Sequence, residues 1–266
     1  MPTLSIDDRR LSYEESGSGP VALLIHGSPG NGNAWARVAK LLAKRFRVIT
    51  PDLPGYGDTT PQAPGQPPEV GFASELIEGL IRHVGSPAVL AGHSYGGVVA
   101  LSVALRRKVE IGALVLFEPV AMPILEMAGD AQAFADVRAV FDDYIASFEG
   151  GDGRAVRKMI DHWFGRGAFA AMPETLQTYL IRETASNIKD VRGTFRERYA
   201  AGAFRALRAP VVIVVGDRSP DVTRRIAERV AEQCPNGRVE ILPGANHALT
   251  TTHAEAVAGY VAGAVS

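Results

Sequence analysis

Short, mostly apolar runs alternate with longer amphipathic ones through the first 120 residues. Val21-Ala-Leu-Leu-Ile25, Pro87-Ala-Val-Leu-Ala-Gly92 and Ala113-Leu-Val-Leu-Phe117 read as strands covered on both faces, because no polar residue alternates out of them, and Phe46-Arg-Val-Ile-Thr50 is a further strand candidate. Between them, Trp35 to Arg45 is helical in character, and Leu76, Ile77, Leu80, Ile81 and Val84 mark one face of a helix over residues Phe72 to Val84. Val98 to Leu105 reads as a buried helix closed by Arg106-Arg107-Lys108, where the helix dipole favours cations. The alternation predicts an α/β fold, a mostly parallel, doubly wound sheet with helices on both faces. Prolines 51, 54, 61, 64, 67 and 68 predict a surface loop from Pro51 to Gly71.

From about Val120 to Leu207 the strand rhythm stops. Phe134, Val137, Phe141, Tyr144, Ile145 and Phe148 recur at helical spacing, as do Val156, Met159, Ile160, Trp163 and Phe164, and then Leu176, Tyr179 and Leu180. Residues 121–206 therefore read as a helical cap inserted before the last strands, with 1–120 and 207–266 forming the core. Strand character returns in Pro210-Val-Val-Ile-Val-Val215 and Arg238-Val-Glu-Ile-Leu242, around a helix from Val222 to Gln233. The closing helix is expected to start near Thr252, whose spacing to Glu255 has the form of a capping box. There is no internal repeat or low-complexity segment.

Charge changes this picture little. With 28 Lys and Arg against 29 Asp and Glu, the net charge of -1 offers nothing to a nucleic acid or an anionic membrane surface. The single Cys234 excludes an internal disulfide and a cysteine-built metal site, and reads as a packing residue. No cationic stretch followed by an apolar one opens the sequence, and no uncharged run reaches the ~18 apolar residues of a bilayer span. The expectation is a cytoplasmic protein whose partner is a small molecule.

The chemistry concentrates after the predicted strands, where open parallel sheets gather their ligands. Gly92-His-Ser-Tyr-Gly-Gly97 joins a strand to a helix through a serine flanked by small residues, the form of a nucleophile elbow, with Ser94 at its tip. His26-Gly-Ser-Pro-Gly30 follows an earlier strand. Its Ser28 N–H, with the N–H of Tyr95, would make a two-donor oxyanion hole. A serine hydroxyl needs a base, and His247, after the last strand, is the best placed of the six histidines. His83, His162 and His253 fall in helical segments, and His26 and His93 flank turns. Three carboxylates compete to orient it: Glu118 at a strand tip beside the elbow, then Asp217, then Asp221. Phe134, Phe141, Met159, Trp163 and Phe164 are candidate pocket residues, although such a stripe also suits a core.

With His26-Gly27, Asp52-Leu-Pro-Gly-Tyr-Gly57, Gly92 to Gly97 and Gly244-Ala-Asn-His247 in this order, the chain resembles the α/β-hydrolase fold family over nearly its whole length. Many relatives carry the acid three residues after the glycine equivalent to Gly216, a position held here by Ser219. Leu116-Phe-Glu-Pro-Val-Ala-Met-Pro123 is similar instead to members, including certain haloalkane dehalogenases, that take the acid from the earlier strand, which favours Glu118. Asp52 in this resemblance shapes a loop. Serine at the elbow argues against the dehalogenase and epoxide hydrolase chemistry that uses aspartate there. The resemblance implies a cofactor-free serine hydrolase, esterase-like, acting on a small, fairly apolar ester, lactone or related carbonyl compound. Carbon–carbon bond hydrolysis of a diketone-like ring-cleavage product, a ligand receptor with a vestigial triad, and a cofactor-free oxygenase or perhydrolase remain open beside it.

Overall fold

The computed structural model describes residues 2–63, 65–67 and 69–265. An eight-stranded sheet forms its centre: β1 (Thr3–Ile6), β2 (Arg9–Gly17), β3 (Val21–Ile25), β4 (Arg47–Pro51), β5 (Val89–His93), β6 (Ala113–Phe117), β7 (Val211–Gly216) and β8 (Gly237–Leu242). Their spatial order is β1-β2-β4-β3-β5-β6-β7-β8. From β4 to β8 all neighbours run parallel, while β1 and β2 add an antiparallel edge. That edge is absent from the apolar pattern because β2 is largely polar and half exposed, so it carries no apolar run.

The central strands divide their side chains with a period of two. Leu23, Ile25, Leu90, Leu114, Leu116, Ile213 and Val215 join one apolar cluster, whereas Ala22, Leu24, Val89, Ala91, Val115, Phe117, Val212 and Val214 join another. The first face is covered by α2 (Val70–Val84), α3 (Tyr95–Arg106) and α11 (Asp221–Gln233), the second by α1 (Ala36–Leu42) and α13 (Ala254–Gly263). Burial on both sides explains why these strands read as unbroken apolar runs.

Seven helices lie between β6 and β7: α4 (Pro123–Met127), α5 (Ala131–Glu149), α6 (Val156–Phe164), α7 (Ala168–Ala171), α8 (Glu174–Arg182), α9 (Thr184–Arg196) and α10 (Ala201–Ala206). This insertion packs onto α2, α3 and α11, over the C-terminal ends of the strands. Among the described residues no helix is long and apolar enough to cross a membrane.

One local expectation fails. Thr252 does not cap the closing helix, because it ends α12 (Leu249–Thr252), with its hydroxyl bonded back to the Ala248 carbonyl. His253 takes the N-cap position of α13, without a side-chain cap. A hydroxyl inside a helical turn finds that carbonyl four residues back more readily than an amide ahead.

Candidate active site

The turn from β5 into α3 is built around close backbone approaches. A Cβ on Gly92 would sit 2.2 Å from the Gly96 carbonyl oxygen, and one on Gly96 would sit 2.3 Å from that of His26. With no side chain at either position, the strand and helix close on a single residue, Ser94, which adopts φ 53° and ψ -120°. Such angles cost a non-glycine residue on the order of 1–3 kcal/mol and persist only when surroundings over-determine them. Here they do: Ser94 N–H donates to Phe117 O at 3.0 Å, and its carbonyl accepts from Gly97 N at 3.0 Å and Val98 N at 3.3 Å. The serine is held at the sheet's C-terminal edge, only 6 % exposed.

His247 arrives on the segment after β8, and its Nε2 lies 3.1 Å from Ser94 Oγ. Its Nδ1 lies 2.7 Å from Oε2 of Glu118, the residue that follows β6. A carboxylate at Nδ1 fixes the tautomer with the proton on that nitrogen, leaving Nε2 free to accept from the serine hydroxyl. Glu118 is wholly buried, itself at φ 46°, and its second oxygen accepts from Gly216 N–H at 2.8 Å and from the Ser219 hydroxyl. Burial alone pushes its carboxyl up, but the bonds from His247, Ser219 and Gly216 outweigh that and hold it below the ordinary glutamate range.

The imidazole is enclosed by aromatic rings. Trp163 of α6 stacks on it at 4.9 Å with an interplanar angle of 20°, and Phe164 meets it edge-on at 5.4 Å. His93 lies 4.9 Å away, and its Nε2–H donates to the His247 carbonyl at 2.9 Å. Burial and the neighbouring His247 depress His93 to about 3, so it stays neutral and keeps this bond. His26 is fixed similarly. It accepts from Leu53 N–H at 2.9 Å and bonds the Gly27 carbonyl at 2.8 Å, and burial lowers it to about 4. Asp52 accepts from Gly32 N–H at 2.8 Å, which ties the loop after β3 to the end of β4.

Ser94 stands where two cavities meet. The outer chamber, about 320 Å³, is walled by Met159, Ile160, Trp163, Phe164, Met172, Leu176 and Leu180, with Ser28, Ser94 and His247 at its floor. Among the described residues no Lys, Arg, Asp or Glu lines it. The inner cavity, about 20 Å³, lies between core and insertion and is lined by Ser28, Ser94, Tyr95, Phe141, Met159 and Trp163 together with Asn187, Asp190 and Thr194. Ser28 and Tyr95 therefore border the serine, and among the described residues their backbone N–H groups donate to no protein acceptor. Tyr95 N–H also opens α3, where the helix dipole favours negative charge.

Of the residues singled out in the sequence, Ser94, His247, Glu118, Ser28, Tyr95, Met159, Trp163, Phe164 and Phe141 converge here. Asp217 does not: it is exposed and accepts from Gly244 N–H at 2.7 Å, bracing the turn that leads to His247. Asp221 is exposed in the first turn of α11. Phe134 packs against Phe195 at 6.0 Å and lines neither cavity. Ser219's bond to Glu118 and the polar group Tyr56, Asn187 and Asp190 lie outside the sequence reading. Only the missing aspartate at 219 hinted at the first, and no spacing marks the second.

The family model described as the alpha/beta hydrolase family matches residues 22–260. The chain is 28% identical over 250 residues to 2-(acetamidomethylene)succinate hydrolase of Mesorhizobium japonicum, covering 89% of this chain and 84% of that one. It is 34% identical over 105 residues to the pimeloyl-[acyl-carrier protein] methyl ester esterase of Vibrio cholerae, a match that spans 40% of this chain and only 39% of that relative's length. A thermophilic esterase from Thermogutta terrifontis superposes with a TM-score of 0.74 at 23% identity, covering 98% of this chain and 95% of that one, a likeness of fold. The protein belongs to the alpha/beta hydrolase family.

Proposed function

We propose that the protein is a serine hydrolase of small, uncharged, fairly apolar esters, lactones or related carbonyl compounds. The carrying observation is the relay from Ser94 Oγ through His247 to Glu118, at 3.1 and 2.7 Å, on the floor of a chamber without charged walls. In this reading Ser94 attacks the carbonyl carbon while His247 Nε2 takes its proton. The charge that develops on the carbonyl oxygen is met by Ser28 and Tyr95 N–H. Glu118 stabilises the imidazolium, which then delivers its proton to the leaving group. The acyl-enzyme is released when His247 activates a water for the second attack. The 121–206 insertion acts as a cap whose Met159, Trp163 and Phe164 bind the apolar part of the substrate.

A chamber of this size suits a ligand at the small end of ordinary binding sites. A succinate-derived substrate, of the kind in the Mesorhizobium relative's name, meets no cationic side chain on its walls. That favours neutral acyl groups over dicarboxylates.

The test is treatment with a fluorophosphonate, peptide mapping of the adduct, and then a panel of neutral short-chain esters, lactones, succinate half-esters and diketones. An adduct on Ser94 and turnover of the neutral esters or lactones are the expected results. A folded protein that takes no label would overturn the reading, and preferential cleavage of diketones would move it to carbon–carbon bond hydrolysis.

A further inference from the structure

Ser28 is expected to matter through its backbone, yet its side chain has three polar partners between core and insertion. Its Oγ accepts from Asn187 Nδ2 at 2.8 Å, lies 2.6 Å from Asp190 Oδ2 and is 2.8 Å from the Tyr56 hydroxyl. Tyr56 O–H donates to the same Asp190 oxygen at 2.7 Å, and Asn187 Oδ1 accepts from the buried Tyr144 hydroxyl at 2.8 Å. Asn187 gives one hydrogen to Ser28, and Ser28 and Tyr56 each give one to Asp190, which leaves none for the 2.8 Å contact between the two hydroxyls. Asn187 and Asp190 stand three residues apart on α9, one face of a helix, and Tyr144 comes from α5. Ser28 and Tyr56 come from the loops after β3 and β4.

Among the described residues Asp190 makes no hydrogen bond to the side chains of Ser94 or His247, and a partly buried carboxylate needs a reason to be there, because burial opposes its charge. Burial raises Asp190 to about 7 even though Ser28, Tyr56 and Tyr95 bond to it, and burial, with the Asp190 charge as a lesser cause, keeps the Tyr56 and Tyr95 phenols protonated well above their ordinary range. The two phenols therefore remain donors across neutral pH.

We propose that Asp190 and Asn187 are positioning residues, through which the inserted helix α9 holds Ser28 so that its amide faces the oxygen of a substrate bound at Ser94. The oxyanion hole is then assembled jointly: one donor comes from the elbow helix, the other from a loop whose side chain is clamped by the insertion. Ser28 lies outside any strand or helix, and to the core's own ties on its loop, from Asp52, His26 and Tyr56, α9 adds the two bonds from Asn187 and Asp190. Misplacing a preorganised donor by about 1 Å costs up to about 10²-fold in rate.

This inference rests on the serine-hydrolase reading, and one assay separates the two. Phosphonylation of Ser94 by a fluorophosphonate forms the Oγ–P bond and expels fluoride as His247 takes the hydroxyl proton, with the phosphoryl oxygen in the oxyanion hole. Its maximal rate and its half-saturation concentration are measured for the wild type, Ser28→Ala, Asp190→Ala and the double variant. Each single change is expected to lower the maximal rate on the order of 10- to 100-fold, with half-saturation within about threefold. The double variant should lose no more than about twofold beyond the worse single, because both changes release the same clamp. Asp190→Asn, which keeps an accepting oxygen, should recover part of the loss, and takes the place of Asp190→Ala in the cycle if that variant does not fold. Asp190 variants labelled as fast as the wild type, or losses that multiply in the double variant, overturn the inference. An unlabelled wild type overturns the hydrolase reading itself and this inference with it.

Discussion

The strand-end half of the site and the inserted half are made in different ways. Ser94, Glu118 and His247 each sit one to a few residues past the end of β5, β6 and β8, on short connections whose geometry is set by neighbouring backbone. Trp163, Met159, Asn187 and Asp190 sit within helices and reach the site only through how those helices pack. Backbone close to a strand end leaves a local mark in sequence, such as glycines with no room for a Cβ. A helix that presents one side chain to a distant partner leaves only its ordinary amphipathic spacing. In the proposed reaction the first half supplies the reacting atoms, and the second supplies the walls and the proposed restraint on Ser28.

Substitutions can break that contrast, beginning with the strand ends. Ser94→Ala should lower kcat on the order of 10⁴- to 10⁶-fold without loss of fold, measured on whichever neutral ester the panel identifies. Retained turnover would remove the serine from the chemistry. Glu118→Gln should cost on the order of 10²- to 10⁴-fold while Asp217→Asn stays within about twofold, and the reverse pattern would hand the orienting role to Asp217. Because the Ser219 hydroxyl already touches Glu118, adding Ser219→Asp to Glu118→Gln should restore at least about tenfold, with the carboxylate approaching His247 from the strand that relatives more often use.

The inserted half should respond more mildly. Trp163→Ala removes a chamber wall and the ring stacked on His247, and is expected to raise KM on the order of tenfold with a smaller fall in kcat. Trp163→Phe should recover most of it, and equal damage from both would point to disrupted packing of α6 instead.

The smallest effect is one of stability. Asp190 stands at about 7 in the fold, above the ordinary aspartate value of 3.8. The native state therefore keeps a proton that the unfolded chain has released. Its stabilising contribution is full below about pH 4 and is lost as pH rises through about 7. Thermal melts from pH 5 to pH 8 should show the wild type losing several degrees that Asp190→Asn does not lose, with Tyr56 and Tyr95 protonated throughout. Parallel curves for the two proteins would remove Asp190 as the titrating group.

The amino-acid sequence by itself determined the alternation of strands and helices, the place of the insertion, and the turn at Ser94. Each depends on local periodicity or on glycines that the backbone approach requires. It also narrowed the acid to three carboxylates near strand ends and put Glu118 first through its resemblance to members that take the acid from the earlier strand, while local pattern alone gives no contact with His247. Tertiary structure separates them, because parallel pairing of β6 with β7 brings Glu118 against Gly216 and Ser219 and within 2.7 Å of His247, whereas Asp217 turns outward to Gly244. The polar β1–β2 edge and the clamp on Ser28 by Asn187 and Asp190 likewise depended on the assembled molecule. An edge strand carries no apolar run, and a hydrogen bond between residues 162 positions apart exists only after the insertion has packed onto the core.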